Sequence, residues 1–486
     1  MVYGPLITTL LPVAAASAAA IIGALGPGAG WLAGLAASIL GLLCSSALLA
    51  SPPGLLAGGE FMVDGYAGWA MLTISVVYLL SVLPLRHSIG VMREYGRLGG
   101  RDERLAYLLL NGAYAFMYLL AVSNNLFMIW VFLEIATVLT VYLVGLDRRS
   151  VEAHEAAWKY FIMCSVGMSF SLYGFVVIYG YAYQAGAGQP WLLTSIARVA
   201  APAPLLTAAC GFIVAGFSVK AGLFPVYMWL PDAYAEAPTP VAALLSGALT
   251  YLPLYVLLRI LHFLGAAAGR AVWLLAVLGL ASMLCGAAGM YRTQDAKRLY
   301  AYSSIEHMGI LAFLAAASLG LGSPGVALAA FNLHAIGHAV SKAAAFDAAG
   351  FLDERYSVRL IDSLDPSLDR VAGWGLLAFT VSLAGIPPFP LFISELLGAV
   401  SVASNTWLLA AYIVCVFTAF TALAVRIGDL YAEKEGDDTR PLRVPGASMA
   451  RAAIIAAVAA LIILTLLYLS TPALNTLLEA APGAWP

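Results

Sequence analysis

Glu134, Lys159, Lys220, His307, His334, His338, Lys342 and Glu395 are ionisable side chains set in long apolar runs. A charge at the centre of a bilayer costs on the order of 3 kcal/mol on insertion scales, so such groups mark ion or proton paths unless a partner neutralises them. Glu134 is the lone charge in NNLFMIWVFLEIATVLTVYLVGL, and Lys220 lies in VKAGLFPVYMWLPDAYAEAPTPV. If their helices face each other, each favours the charged form of the other; a purely structural salt bridge is the alternative. Lys159, in EAAWKYFIMCSVG, lies about one turn inside its run and serves either as a relay or as a snorkelling surface charge. His334, His338 and Lys342 step by four in AAFNLHAIGHAVSKAAAFDAAG. That spacing puts them on one helical face, rising about 6 Å per step. Imidazole titrates near neutrality, so this line reads as a proton path. A His-x-x-x-His pair also suits a metal, but no carboxylate or cysteine nearby in the chain completes a ligand set, and no metal is expected. Glu306 and His307 are adjacent in KRLYAYSSIEHMGILAF and point in different directions. We assign His307 to the line and Glu306 as its charge partner.

The elements that hold these residues are spanning helices. Of 486 residues, 62% are hydrophobic and 10% charged, with mean hydropathy +0.91; soluble proteins carry roughly 25% charged residues. The fold class is therefore an all-α polytopic membrane protein, and the lack of strand-type alternation argues against a β-barrel. A net charge of −2 argues against a nucleic-acid partner. Cys44, Cys164, Cys210, Cys285 and Cys415 are scattered singly, without the pairing a cluster or thiolate zinc site needs. Neither a Walker A motif nor a dinucleotide glycine fingerprint is present, so no cofactor is expected. The opening MVYGPLITTLLPVAAASAAA lacks a basic n-region and reads as a retained first span.

A span takes about 20 apolar residues. That rule predicts about fourteen transmembrane helices, near 5–25, 31–50, 69–87, 105–123, 125–146, 156–183, 203–229, 239–263, 271–291, 296–318, 324–350, 371–397, 407–431 and 449–470. Basic residues concentrate in and beside the odd-numbered loops, including Arg97, Arg149, Arg298, Arg359, Lys434, Arg440 and Arg443. The even side holds only Arg198, Arg259 and Arg270. The positive-inside rule then puts the odd loops in the cytoplasm and both termini outside, in a multi-pass protein of the cell membrane.

Two spans are interrupted. Helix seven carries Pro225 and Pro231 beside Lys220; helix twelve, LAGIPPFPLFISELLG, carries Pro387, Pro388 and Pro390 beside Glu395. Broken spans at matching positions point to an internal repeat with a midplane ion site; prolines that merely kink packed helices are the other reading.

The stretches KAGLFPVYMWLPDAYAEAPTPVAALLSG, KRLYAYSSIEHMG and HAVSKAAAF resemble the signatures of the antiporter-like proton-channel subunits. Those subunits occur in respiratory complex I, Mrp antiporters and membrane-bound nickel–iron hydrogenases. The likeness spans about residues 55–430, and YSSIEHMG with EAAWKYFIMCSVG is most similar to the hydrogenase-4 component F type. The resemblance implies two inverted five-helix repeats, with discontinuous helices seven and twelve. The expected division is 1–104, then repeats at 105–263 and 271–431, then 432–486. It also implies roles for Glu134, Lys220, His338, Lys342 and Glu395 as transport residues. Where many relatives carry a lysine or histidine in helix eight, this chain has Tyr251 in GALTYLPLYVLLRILHFL. A tyrosine hydroxyl passes a proton but holds no charge at neutral pH. The ending at Pro486, without a long lateral helix, implies an internal position in an assembly.

The expected function is a proton-translocating, non-catalytic membrane subunit of a hydrogenase-4- or complex I-like oxidoreductase. Its partners would be other membrane subunits, peripheral redox subunits, the lipid bilayer and protons, or sodium. In that mechanism Lys220 alternates between charged and neutral states as Glu134 moves or is neutralised. The proton released passes to the half holding Lys342 and Glu395. An Mrp-type sodium/proton antiporter subunit and a non-conducting membrane scaffold are the competing readings.

Overall fold

Backbone polar groups in hydrocarbon must be satisfied within the chain, and the architecture is correspondingly helical. The computed structural model describes residues 3–431 and 446–469. It begins with α1 (Tyr3–Leu25) and α2 (Pro27–Leu49), then a hairpin of β1 (Gly54–Leu56) and β2 (Phe61–Val63). Next come α3 (Gly65–Glu94), α4 (Gly100–Val122), α5 (Leu126–Val144), α6 (Val151–Gln184) and a short α7 (Leu193–Ala197). The first interrupted span is α8 (Pro204–Ala221) with α9 (Trp229–Glu236). It leads into α10 (Thr239–Leu244), α11 (Tyr251–Leu264), α12 (Gly269–Arg292), α13 (Ala296–Ala316) and α14 (Pro324–Tyr356). The second is α15 (Arg370–Leu383) with α16 (Pro390–Ser401), followed by α17 (Thr406–Tyr431) and α18 (Ala447–Leu469). Lys434, Arg440, Arg443 and all of the 432–486 division except 446–469 lie outside the described residues.

Among the described residues, eleven stretches are long and apolar enough to cross a bilayer. One of them, spanning Thr239–Arg292, holds two of the expected helices. The α14 helix is not among the eleven, because its histidines, lysine and acids lower its hydropathy. Protein surrounds it instead of lipid: nearly every residue from Ala327 to Leu352 is buried, against α3, α10, α13, α15, α16 and α18.

Both interruptions fall where expected, with one revision. Pro231 does not break helix seven; it sits in the first turn of α9, where a missing N–H costs no hydrogen bond. The break starts at Gly222, whose φ of 70° ends α8 in the left-handed region, a conformation glycine adopts at no steric cost. Gly385, at φ 63°, does the same after α15. The freed backbone of the first break is satisfied by side chains. Phe224 N–H donates to Ser282 Oγ at 2.9 Å, and Trp229 Nε1 donates to the Val219 carbonyl at 2.9 Å.

On the even-loop face the hairpin is pinned by Glu60, which accepts from Asn125 Nδ2 at 2.7 Å and Trp191 Nε1 at 3.1 Å. Beneath it, Arg259 pairs with Asp64 at 3.1 Å, both side chains almost fully buried. Arg259 is thus a core residue, not a loop charge. Stranding one member of such a pair costs about 3–5 kcal/mol. Asp64→Ala is expected to lower thermal stability of the solubilised protein by that amount, read as a lower midpoint in a fluorescence melt.

Candidate functional site

In the first half, Lys220 is 0% exposed on the last turn of α8. Its ammonium donates to the Tyr160 hydroxyl at 2.9 Å and lies 4.6 Å from the centre of that ring. Tyr160 in turn hydrogen-bonds Thr140 of α5 at 2.9 Å and stacks on Trp229 at 4.6 Å. The expected direct pair with Glu134 does not form. Glu134 accepts from Ser165 Oγ at 2.5 Å, and its second oxygen has no hydrogen-bond partner among the described residues. The reason is orientation: Glu134 turns toward α6 and is half-buried, so Tyr160, not the carboxylate, faces the lysine.

Lys159 lies outside this buried group. Its side chain is 45% exposed and pairs with Glu155 at 2.6 Å and Asp232 at 3.0 Å, while Arg298 reaches the same Asp232 at 2.8 Å. This is the snorkelling alternative, and the charge belongs to a surface network. On the same face Arg359 bridges Glu236 at 2.6 Å and Asp295 at 2.5 Å. Burial opposes its charge, and the two carboxylates outweigh that and raise its pKa.

In the second half, the histidines converge as the four-residue stepping predicts. His307 Nδ1 and His334 Nε2 are 3.1 Å apart, and His334 Nδ1 is 2.9 Å from Ser394 Oγ of α16. His307 also faces His338, ring centres 5.1 Å apart, and among the described residues neither His338 nitrogen has a hydrogen-bond partner. Glu306 Oε2 lies 3.4 Å from His307 Nε2 without a hydrogen bond between them. Lys342, 0% exposed, donates to the Tyr300 carbonyl at 3.2 Å.

Glu395 reaches this group from α16. Ligand atoms of His307, His334 and Glu395 lie within 4.8 Å of one another. The sequence argument that no carboxylate completes a metal set is therefore corrected: the carboxylate comes from a distant helix. Two imidazoles and one carboxylate suit a zinc-like ion, and the same close spacing suits a chain of proton exchange. Glu395 also packs on Gly385, where an added Cβ would come within 2.3 Å of its Oε2.

Between the two halves lie two pairs of buried hydroxyls. Tyr234 of α9 donates to Thr250 Oγ1 at 3.2 Å, and Thr250 Oγ1 donates to the Ser246 carbonyl at 3.3 Å. Ser246 Oγ meets Ser304 Oγ at 2.9 Å, and Ser304 donates to the Tyr300 carbonyl that also receives Lys342. Ser246 lies in a π-helical turn, Leu245–Leu249, a local widening common at functional sites. Tyr251 is buried next to this bridge but packs by its ring, 6.1 Å from Tyr255 and 6.0 Å from Phe331. The hydroxyl line runs through Thr250, one residue earlier.

Sequence reasoning missed Tyr160, Tyr234, Ser246, Thr250, Ser304 and Ser394. Hydroxyl side chains are cheap in membrane helices, so their types carried no signal. It also passed over Asp347, an acid as conspicuous in FDAAG as Lys342 five residues earlier.

Residues 123–421 match the family described as NADH:quinone oxidoreductase/Mrp antiporter, TM. The chain is 36% identical over 397 residues to a hydrogenase-4 component F homolog of Methylacidiphilum infernorum, covering 79% of this chain and 82% of that one. It is similar to a chain of respiratory complex I from Thermus thermophilus at 26% identity and TM-score 0.73, covering 94% and 97%. It shares the fold of a chain of an archaeal membrane-bound sulfane sulfur reductase at 22% identity and TM-score 0.79, covering 98% and 96%. The broken helices and buried charges thus sit in a matched segment, and the chain belongs to the transmembrane NADH:quinone oxidoreductase/Mrp antiporter family.

Proposed function

We propose that this chain is the proton-translocating membrane subunit of a multi-subunit oxidoreductase of the hydrogenase-4 or complex I type. Redox chemistry in partner subunits would drive protons across the bilayer through it. The observation that carries this reading is the row of buried hydroxyls between two fully buried lysines: Tyr234 with Thr250, and Ser246 with Ser304, the two pairs meeting at the Ser246 residue and the second ending on the Tyr300 carbonyl that also receives Lys342. A lysine ammonium stores a proton, and hydroxyls pass one by exchanging hydrogen bonds. Neither lysine has a carboxylate within ion-pair distance among the described residues, so each depends for its charge on groups further away.

The chain would lie in the cell membrane with odd loops in the cytoplasm and both termini outside. The basic odd-loop face, with Arg149, Lys297, Arg298 and Arg359, supports that orientation. Fourteen spans follow if α8–α9, α15–α16 and the α10–α11 run joined by its π turn each count once and the five-residue α7 is set aside. The inverted repeats at 105–263 and 271–431 are supported by the two left-handed glycines opening matched breaks. Stations with imidazole nitrogen favour protons over sodium, which prefers several oxygen ligands.

The test is proton counting in vesicles holding the assembled complex, with a pH-sensitive dye, with and without sodium. Redox turnover should move protons equally in both. Sodium dependence would favour an antiporter, and turnover without proton movement would leave a scaffold. Within the same assay, Ser246→Ala with Ser304→Ala should cut protons per electron about tenfold, roughly 1.4 kcal/mol in barrier. Tyr251→Phe should change it by less than about twofold, well under 1 kcal/mol on the same scale.

A further inference from the structure

The proposed path leaves two acids of α14 unused. Asp347 is 2% exposed, and among the described residues neither of its oxygens has a hydrogen-bond partner. Glu354 is seven residues on, which places it on the same helical face, about 10 Å further along the axis. Five residues separate Asp347 from Lys342, turning it roughly 140° away around α14. This face meets α3 and α10, not the histidine cluster.

Glu354 has a different setting. Its Oε1 accepts from Thr239 Oγ1 at 2.5 Å and from Ser88 Oγ at 2.7 Å. It also lines a polar cavity of about 570 Å³ on the odd-loop face, with Arg149, Glu236, Lys297 and Arg359. Between the two acids lies Gly350, where an added Cβ would come within 2.2 Å of Thr239 Oγ1. The Thr239 hydroxyl therefore rests on the α14 backbone between Glu354 and Asp347.

An ionised carboxylate without hydrogen bonds in a dry interior is strongly disfavoured, and buried polar groups otherwise find partners. We propose that Asp347 is a proton-binding site filled from the odd-loop cavity by way of Glu354. In the filling step the O–H bond of a protonated Glu354 breaks and one forms on the Asp347 carboxylate, the proton passing over the Thr239 hydroxyl. Glu354 is left as the anion and takes its next proton from water in the cavity. A charge that comes and goes at Asp347 lies about 7.5 Å along α14 from Lys342, near enough to bias that lysine. The inference needs the cavity to face water; it does not need Lys220 or Lys342 to conduct.

The test is infrared spectroscopy of the assembled complex during exchange into deuterium oxide. A protonated-carboxyl carbonyl band should be present in the wild type and lost in Asp347→Asn. Its deuterium shift should slow at least tenfold in Glu354→Gln. An unchanged band in Asp347→Asn, or exchange indifferent to Glu354, overturns the proposal. Should Asp347→Asn fail to assemble, wild-type complex treated with dicyclohexylcarbodiimide decides by mass spectrometry. That reagent adds to protonated buried carboxyls, so an adduct placed by fragmentation on the Asp347 side chain supports the site, and Asp347 left unmodified refutes it, whether or not Asp353 or Glu354 in the same peptide reacts. Failure of proton translocation in vesicles, with the band and its exchange as expected, would count against the proposed function alone.

Discussion

Lys342→Ala in the assembled complex is expected to lower the protons moved per electron at least about tenfold, more than 1.4 kcal/mol in barrier. The residue is fully enclosed at the meeting point of two features: the end of the hydroxyl bridge at the Tyr300 carbonyl, and the α14 face that carries His338 and His334. Remove the amine and this end of the line loses its one side chain that both stores and releases a proton. Arginine is not a substitute, since its guanidinium does not give up its proton in proteins. Lys342→Arg should therefore fail in transport nearly as badly as alanine. The measurement is dye-reported proton uptake divided by electron flux, with assembly checked on a native gel. Normal coupling in the arginine variant would show that charge alone, not proton exchange, is what position 342 supplies.

Lys220→Ala is expected to cause a loss of the same size. Here the amine is held by Tyr160, which Thr140 and the Trp229 ring fix in place. Tyr160→Phe removes that contact while keeping the stacked ring. It should cost about tenfold or less, in line with a hydrogen bond to a charged group at about 1.5–3 kcal/mol partly replaced by water. Glu134→Gln should have the weaker effect of the two neighbours. Its carboxylate bonds Ser165 and acts on the lysine only at a distance. A Glu134→Gln loss exceeding that of Tyr160→Phe would restore the direct pairing suggested by the sequence.

The charged stations were legible because a lysine or glutamate in twenty apolar residues has few structural excuses. The His334–His338–Lys342 line followed from helical periodicity, and His307 lies against its two histidines with Glu306 beside it. Facing was not legible. Nothing in the α5 sequence says that Glu134 turns to Ser165, or that Tyr160 occupies the space before Lys220. The link between halves was sought at Tyr251, the position a resemblance singles out, whereas the π-helical turn shifts the polar line to Ser246 and Thr250. A turn of that kind depends on how α10 and α11 are held by their neighbours, which single-chain periodicity does not encode. Glu395 sits beside Gly385, which with Gly222 in the other half, and not the prolines alone, sets where each broken helix stops. Left-handed glycine was the available signal at both breaks.

The decisive measurement concerns whether the two lysines lie on one route. Protons per electron should be counted for Lys220→Ala, Lys342→Ala and the double variant in the same vesicles. A single route through both predicts that each single change removes essentially all coupled transport and that the double removes no more. Two independent routes predict that each single variant keeps about half, with only the double losing the rest, as independent sites add. That second pattern would contradict the bridge through Ser246 and Ser304.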